Sequence, residues 1–128
     1  MALPAKLQND LKQFQRLQQE LGTVQQQRLQ LDLRLREIGH TLEELKTVAE
    51  DATVYRPIGS LLVRAKSRKE VEDLLTEEKE TLEVRQKAIE RQENHLKERY
   101  TSMQQDLSAQ LQAAGVPSEG PEADEPGA

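Results

Sequence analysis

The chain has 128 residues, a formal net charge of −5 and no cysteine or tryptophan. This length allows one domain, and the absence of cysteine excludes disulfides and thiolate metal sites. Hydrophobic content of 35% against charged content of 32% favours long solvated helices with a narrow apolar seam over a thick globular core.

The acidic balance argues against nucleic acid as a partner, because phosphate binding needs a basic surface. No apolar run approaches the ~20 residues that span a bilayer. The start, MALPAKLQ, lacks a secretory apolar region. A cytoplasmic protein without a membrane partner is the expectation.

Pro4 is tolerated in a first helical turn. From Leu7, a series spaced alternately by three and four follows: Leu7, Asp10, Phe14, Leu17, Leu21, Val24, Arg28, Leu31, Leu35, Ile38, Leu42, Leu45, Ala49. Only Asp10 and Arg28 interrupt its apolar character. Such a series, sustained over about six heptads, predicts a coiled-coil helix.

Near Glu50 and Asp51 the period changes from 3.5 to 2. The stretch 53–66, TVYRPIGSLLVRAK, is the part of the chain that looks like β-structure. Val54, Tyr55, Ile58, Leu61, Leu62 and Val63 are strand formers. Gly59-Ser60 between them predicts a two-residue turn of type II′, with glycine at its first position. The register then pairs Ile58 with Leu61, Pro57 with Leu62, Arg56 with Val63 and Val54 with Ala65. A lone hairpin is marginal in water, and this one is apolar on both faces. It needs further strands that this chain does not contain, so the predicted hairpin is an oligomerisation site.

Ser67-Arg68-Lys69-Glu70 reads as a capping box, with Ser67 capping a second helix and Glu70 reaching back to the Ser67 amide. That helix is predicted to run to about Ala114 and to stop at Gly115 and Pro117. Its seam is Val71, Leu75, Leu82, Ile89, Leu96 and Met103, with Tyr100, Leu107 and Leu111 added near the end. Residues 115–128 are rich in Pro, Gly, Glu and Asp and read as a disordered acidic tail. The domain expectation is therefore a helical hairpin over 1–114 and a tail over 115–128.

If the chain turns back near Ser60, residues whose numbers add to about 120 lie side by side. Leu45 then meets Leu75, Ile38 meets Leu82, Leu31 meets Ile89, Val24 meets Leu96 and Leu17 meets Met103. The fold class expected is mainly α: a long antiparallel two-helix coiled coil joined by one central β-hairpin. At 1.5 Å per residue, about 45 residues give an arm of roughly 65–70 Å. The alternate layer is polar on the second helix: Leu42 faces Glu78, Leu35 faces Arg85, Leu21 faces Arg99 and Phe14 faces Asp106. This predicts a thin core partly covered by long side-chain stems. Asp10, with Gln110 opposite, is expected to loosen the open end.

The segment VYRPIGSLLVR, preceded by QFQRLQQELGTVQQQ and followed by KETLEVRQKAIERQE, resembles the β-type subunit of prefoldin, the archaeal form in particular. The resemblance covers about Leu7 to Leu111. Pro57 departs from the family pattern, which usually has a small polar residue there, and the acidic tail is no family hallmark. The resemblance implies a hexamer of two α-type and four β-type subunits whose hairpins build a double β-barrel platform. It implies arms that hold unfolded or nascent polypeptides and deliver them to a group II chaperonin without ATP.

Candidate client-binding residues at the open ends are Leu3, Leu7, Leu11 and Phe14 on the first helix and Met103, Leu107 and Leu111 on the second. Met103 would help by its adaptable shape. Alternatively, these residues merely complete the local seam. His40 and His95 are isolated and read as solvated helix residues. No nucleophile–base pair, carboxylate dyad or metal constellation is visible. A two-helix arm offers no concave site in which to shift a pKa. Neither enzymatic activity nor a cofactor is expected. The competing expectation is a structural coiled-coil adaptor that oligomerises through the hairpin and binds one folded partner.

Overall fold

A computed structural model describes residues 3–115 of the chain. Helix α1 spans Ala5–Lys46, strands β1 and β2 span Tyr55–Ile58 and Leu61–Arg64, and helix α2 spans Arg68–Ala113. The fold is thus two long helices of 42 and 46 residues joined by an antiparallel hairpin, as the heptad pattern and the Gly-Ser turn predict. Contacts divide the described residues into a terminal unit, 3–25 with 91–115, and a hairpin unit, 26–90.

In the terminal unit, Leu7, Leu17 and Val24 of α1 and Leu96 and Leu107 of α2 are buried. In the hairpin unit the buried apolar residues are Leu31, Ile38, Leu45 and Ala65. Leu17 to Leu45 recur every seven residues, one layer of the expected seam. Of the other layer, Leu7 is buried, whereas Phe14, Leu21, Leu35 and Leu42 are only half-buried. The thin core read from its polar facing residues is present. Glu93, one heptad before Tyr100 and two before Leu107, is also buried and ion-paired with Lys97 at 3.6 Å.

Helix α1 ends three residues before Ala49. The amides of Thr47 and Val48 donate to the carbonyls of Glu44 and Leu45, at 3.1 and 3.2 Å, so the last turn tightens to a three-residue pitch. Thr47 Oγ1 donates to the same Glu44 carbonyl. At the start of α2, the Glu70 amide donates to Ser67 Oγ at 3.1 Å. The Glu70 carboxylate accepts from the amide of Lys66, at 3.0 Å, rather than from Ser67 as expected. Its stem reaches one residue further because the chain leaves the strand extended. At the far end, Gly115 has φ +80° and its amide donates to the Gln112 carbonyl, the left-handed stop that glycine accommodates without a Cβ clash. The tail expected over 115–128 lies, beyond Gly115, outside the described residues.

Ile38 is 1% exposed whereas Leu33, on the opposite side of α1, is 52% exposed. Ile38→Ala should cost about 2–5 kcal/mol, and Leu33→Ala about 0.5 kcal/mol or less. Urea unfolding followed by circular dichroism checks the contrast, and equal losses would refute a single-layer core.

Candidate functional site

The hairpin register is Tyr55↔Arg64, Arg56↔Val63, Pro57↔Leu62 and Ile58↔Leu61, as the turn position dictates. The Ala65 amide donates to the Val54 carbonyl at 2.8 Å, which adds the expected Val54–Ala65 pair. Gly59 has φ +61° and no other turn residue has positive φ, the sign pattern of a type II′ turn. Antiparallel pairs alternate between bonded and non-bonded. With Val54–Ala65 bonded, Arg56–Val63 and Ile58–Leu61 are bonded too, and Pro57 falls in a non-bonded pair. Its missing amide therefore costs the hairpin no internal hydrogen bond.

Most of the hairpin's apolar side chains face outward. Leu62 is 74% exposed and Leu61 66%, and Tyr55, Ile58 and Val63 are exposed as well. Val54 is half-buried. Leu74, near the start of α2, continues the exposed set. Arg68 anchors the base of this surface. Its guanidinium donates to the Val48 carbonyl just past the end of α1 and pairs with Glu72 at 3.0 Å. The direction in which the chain leaves α1 is thereby tied to the first turn of α2. No periodicity reports this clamp; the signal available was an arginine beside a helix cap and near uncapped carbonyls.

In the same unit, Arg34 donates from Nε and NH2 to the two oxygens of Glu78, each at 2.9 Å, the fork geometry of a strong carboxylate pair. Gln86 Nε2 donates to Asp32 Oδ1 at 2.8 Å. These cross-links flank the half-buried layer and bridge α1 to α2 where apolar partners are missing. Leu29, Leu33 and Val84 are exposed apolar residues of this unit that lie two positions from seam residues, on the outer sides of their helices.

The candidate client-binding residues all lie in the terminal unit. Leu7 is 1% exposed and Leu107 4%. Leu3, Leu11, Phe14, Met103 and Leu111 are half-buried. The Phe14 ring packs on that of Tyr100, centroids 4.9 Å apart, not against Asp106 as the simple register suggests. An aromatic face covers apolar surface better than a carboxylate does, and Asp106 stays exposed. The polar pair expected to loosen this end is instead joined. Gln110 Nε2 donates to Asp10 Oδ2 at 3.0 Å and to Asp106 Oδ2 at 3.1 Å. Lys6 Nζ completes the group, 3.0 Å from Asp10. The two polar residues stand opposite each other, so each satisfies the other. Among the described residues, the large apolar side chains that are exposed all belong to the hairpin unit.

His40 and His95 are exposed, and His40 lies 3.9 Å from Glu44. Among the described residues no group of His, Asp and Glu is gathered as metal ligands, and no helix is long and apolar enough to cross a membrane.

The sequence model of the prefoldin subunit family matches residues 8–114. This chain belongs to the prefoldin family. It is 43% identical to prefoldin subunit beta of Archaeoglobus fulgidus over 105 residues, covering 82% of this chain and 90% of that protein. It is 39% identical over 112 residues to prefoldin subunit beta of Thermococcus kodakarensis, 88% of this chain and 92% of that one. The crystal structure of the prefoldin beta subunit from Thermococcus strain KS-1 superposes with a TM-score of 0.72 at 37% identity, covering 91% of this chain and 98% of that one. These relatives are β-type subunits, as the resemblance of VYRPIGSLLVR and its flanking helices implied. The chain is accordingly a prefoldin subunit of the chaperone type, from a family of chaperones rather than enzymes.

The charged contacts define a pH response. The Arg34 guanidinium, through its hydrogen bonds, holds the Glu78 carboxyl below the usual range. Gln110 first and Lys6 second do the same for Asp10. A carboxyl lowered in the folded state contributes stability above its unfolded pKa, about 3.9–4.3 for Asp and Glu, and loses it as pH falls through the folded value. Glu78→Gln should therefore melt below wild type at pH ~7 and converge with it well below pH ~4. Parallel melting curves across that range would show that the Arg34 fork adds nothing to stability.

Proposed function

We propose that this chain is the β-type subunit of an ATP-independent holdase working in the cytoplasm. Its hairpin joins hairpins of other subunits, α-type among them in the family's expected ratio of two α to four β, to build a platform. The ends of its two helices hold unfolded or nascent polypeptides and pass them to a group II chaperonin. The observation that carries this reading is the hairpin: two strands with exposed apolar residues on both faces, led by Leu61 and Leu62. A two-stranded sheet of that kind is not stable alone in water, and an exposed strand edge is a template for pairing with another chain.

Client capture at the helix ends requires local opening. Leu3, Leu11, Met103 and Leu111 offer partial surface, while Leu7 and Leu107 become available only as the ends separate. Helix ends are the low-stability part of a fold, where such opening costs least. Each contact contributes on the order of 1 kcal/mol or less. Several arms on one platform raise affinity by effective concentration, with no fixed pocket and no nucleotide.

Ile58→Asp or Leu62→Asp should abolish assembly with the α-type subunit while leaving most helicity. Size-exclusion profiles matching wild type would sink the platform reading. Deleting residues 1–14 together with 100–128 should leave the assembly intact but remove suppression of aggregation of unrelated denatured proteins, measured without ATP. Deleting only 115–128 should do much less. Full activity in the doubly shortened assembly would place client binding elsewhere, and a wild-type assembly that suppresses no aggregation would favour the adaptor.

A further inference from the structure

The two outer edges of the hairpin are not equivalent, and Pro57 makes them so. In an antiparallel pair, residues of bonded pairs direct both backbone groups inward, and residues of non-bonded pairs direct both outward. The Val54–Ala65 bond and the strand register place Tyr55 and Pro57 outward on β1, and Leu62 and Arg64 outward on β2. The β2 edge therefore presents two amide donors and two carbonyl acceptors. The β1 edge presents the same two acceptors but only the Tyr55 donor, since proline has none. Proline on an edge strand is also a known way of discouraging edge pairing.

Exposure agrees independently. All four residues of β2 are exposed, with Leu62 the most open large apolar side chain among the described residues. On β1, Arg56 is half-buried. A partner strand added at β2 satisfies every outward backbone group and covers Leu62. One added at β1 leaves its own carbonyl opposite Pro57 without a donor, a cost once that site is dehydrated.

We infer that β2 is the strong assembly edge of this subunit, pairing with a β-strand of another subunit's hairpin, and that β1 forms the weaker, more readily opened contact. This inference rests on the platform reading above and adds an order to its interfaces.

Residue-resolved amide hydrogen exchange on the intact assembly with the α-type subunit tests it. Corrected for intrinsic rates, the Leu62 amide should be protected at least about tenfold more than that of Tyr55. Pro57→Ser returns the missing donor and should narrow that gap at least about threefold. Equal or greater protection at Tyr55 overturns the inference while leaving the platform standing, as does a gap unchanged by Pro57→Ser. If neither Leu62 nor Tyr55 is protected while the inward amides of Arg56 and Val63 are, the hairpin edges do not pair, and the platform reading fails together with this inference.

Discussion

Leu17, Val24, Leu31, Ile38 and Leu45 are buried at a spacing of seven along α1, and the pairing of the two helices depends on that narrow row. One apolar layer in two is close to the least a pair of helices can use and still stay paired. The half-buried layer between is held by long side chains, with the Arg34–Glu78 fork and the Asp32–Gln86 bond as its bridges. Bridges of this sort add little net stability where water reaches them, but they oppose sliding of one helix on the other, because a one-turn shift would break them. A helix pair built this way keeps its register without acquiring a thick core.

The same economy leaves the hairpin unit with more apolar surface than it can bury. Its strands are too short to cover themselves, and the Arg68 clamp ties the chain just past α1 to the first turn of α2. For an isolated domain this would be an aggregation hazard. On the proposed function it is the surface that meets other subunits, and Pro57 gives that surface a strong and a weak side.

The terminal unit solves a different problem. Its apolar residues are covered, by the Phe14–Tyr100 contact and the burial of Leu7 and Leu107, and its polar seam positions are bonded to one another. On the proposed function, a surface that meets many non-native chains yet does not associate with other copies is better kept closed at rest and opened by fraying than left permanently exposed. The closed ends are compatible with a holdase whose contacts are individually weak.

Local sequence patterns determined the two helices, the hairpin turn and the register of its strands. Heptad spacing, a Gly-Ser turn and a Ser-x-x-Glu cap are local signals that act over a few residues, and local signals survive in one dimension. Of the polar bonds between the helices, Asp10–Gln110 and Asp32–Gln86 keep the pairing that adds to about 120, whereas Arg34–Glu78 falls outside it. What the tertiary structure decided was which side chains satisfy one another across the two helices. Asp10 and Gln110 read as a flaw in the seam until they stand face to face as donor and acceptor. Phe14 chose Tyr100 over the residue that simple numbering puts opposite, because long side chains reach a turn up or down their helix to cover apolar surface. Arg68 gives no periodic signal at all, since its task is to satisfy a carbonyl twenty residues earlier in the chain. Backbone pattern follows from nearest neighbours in sequence, whereas burial and polar pairing depend on which distant groups exclude water together.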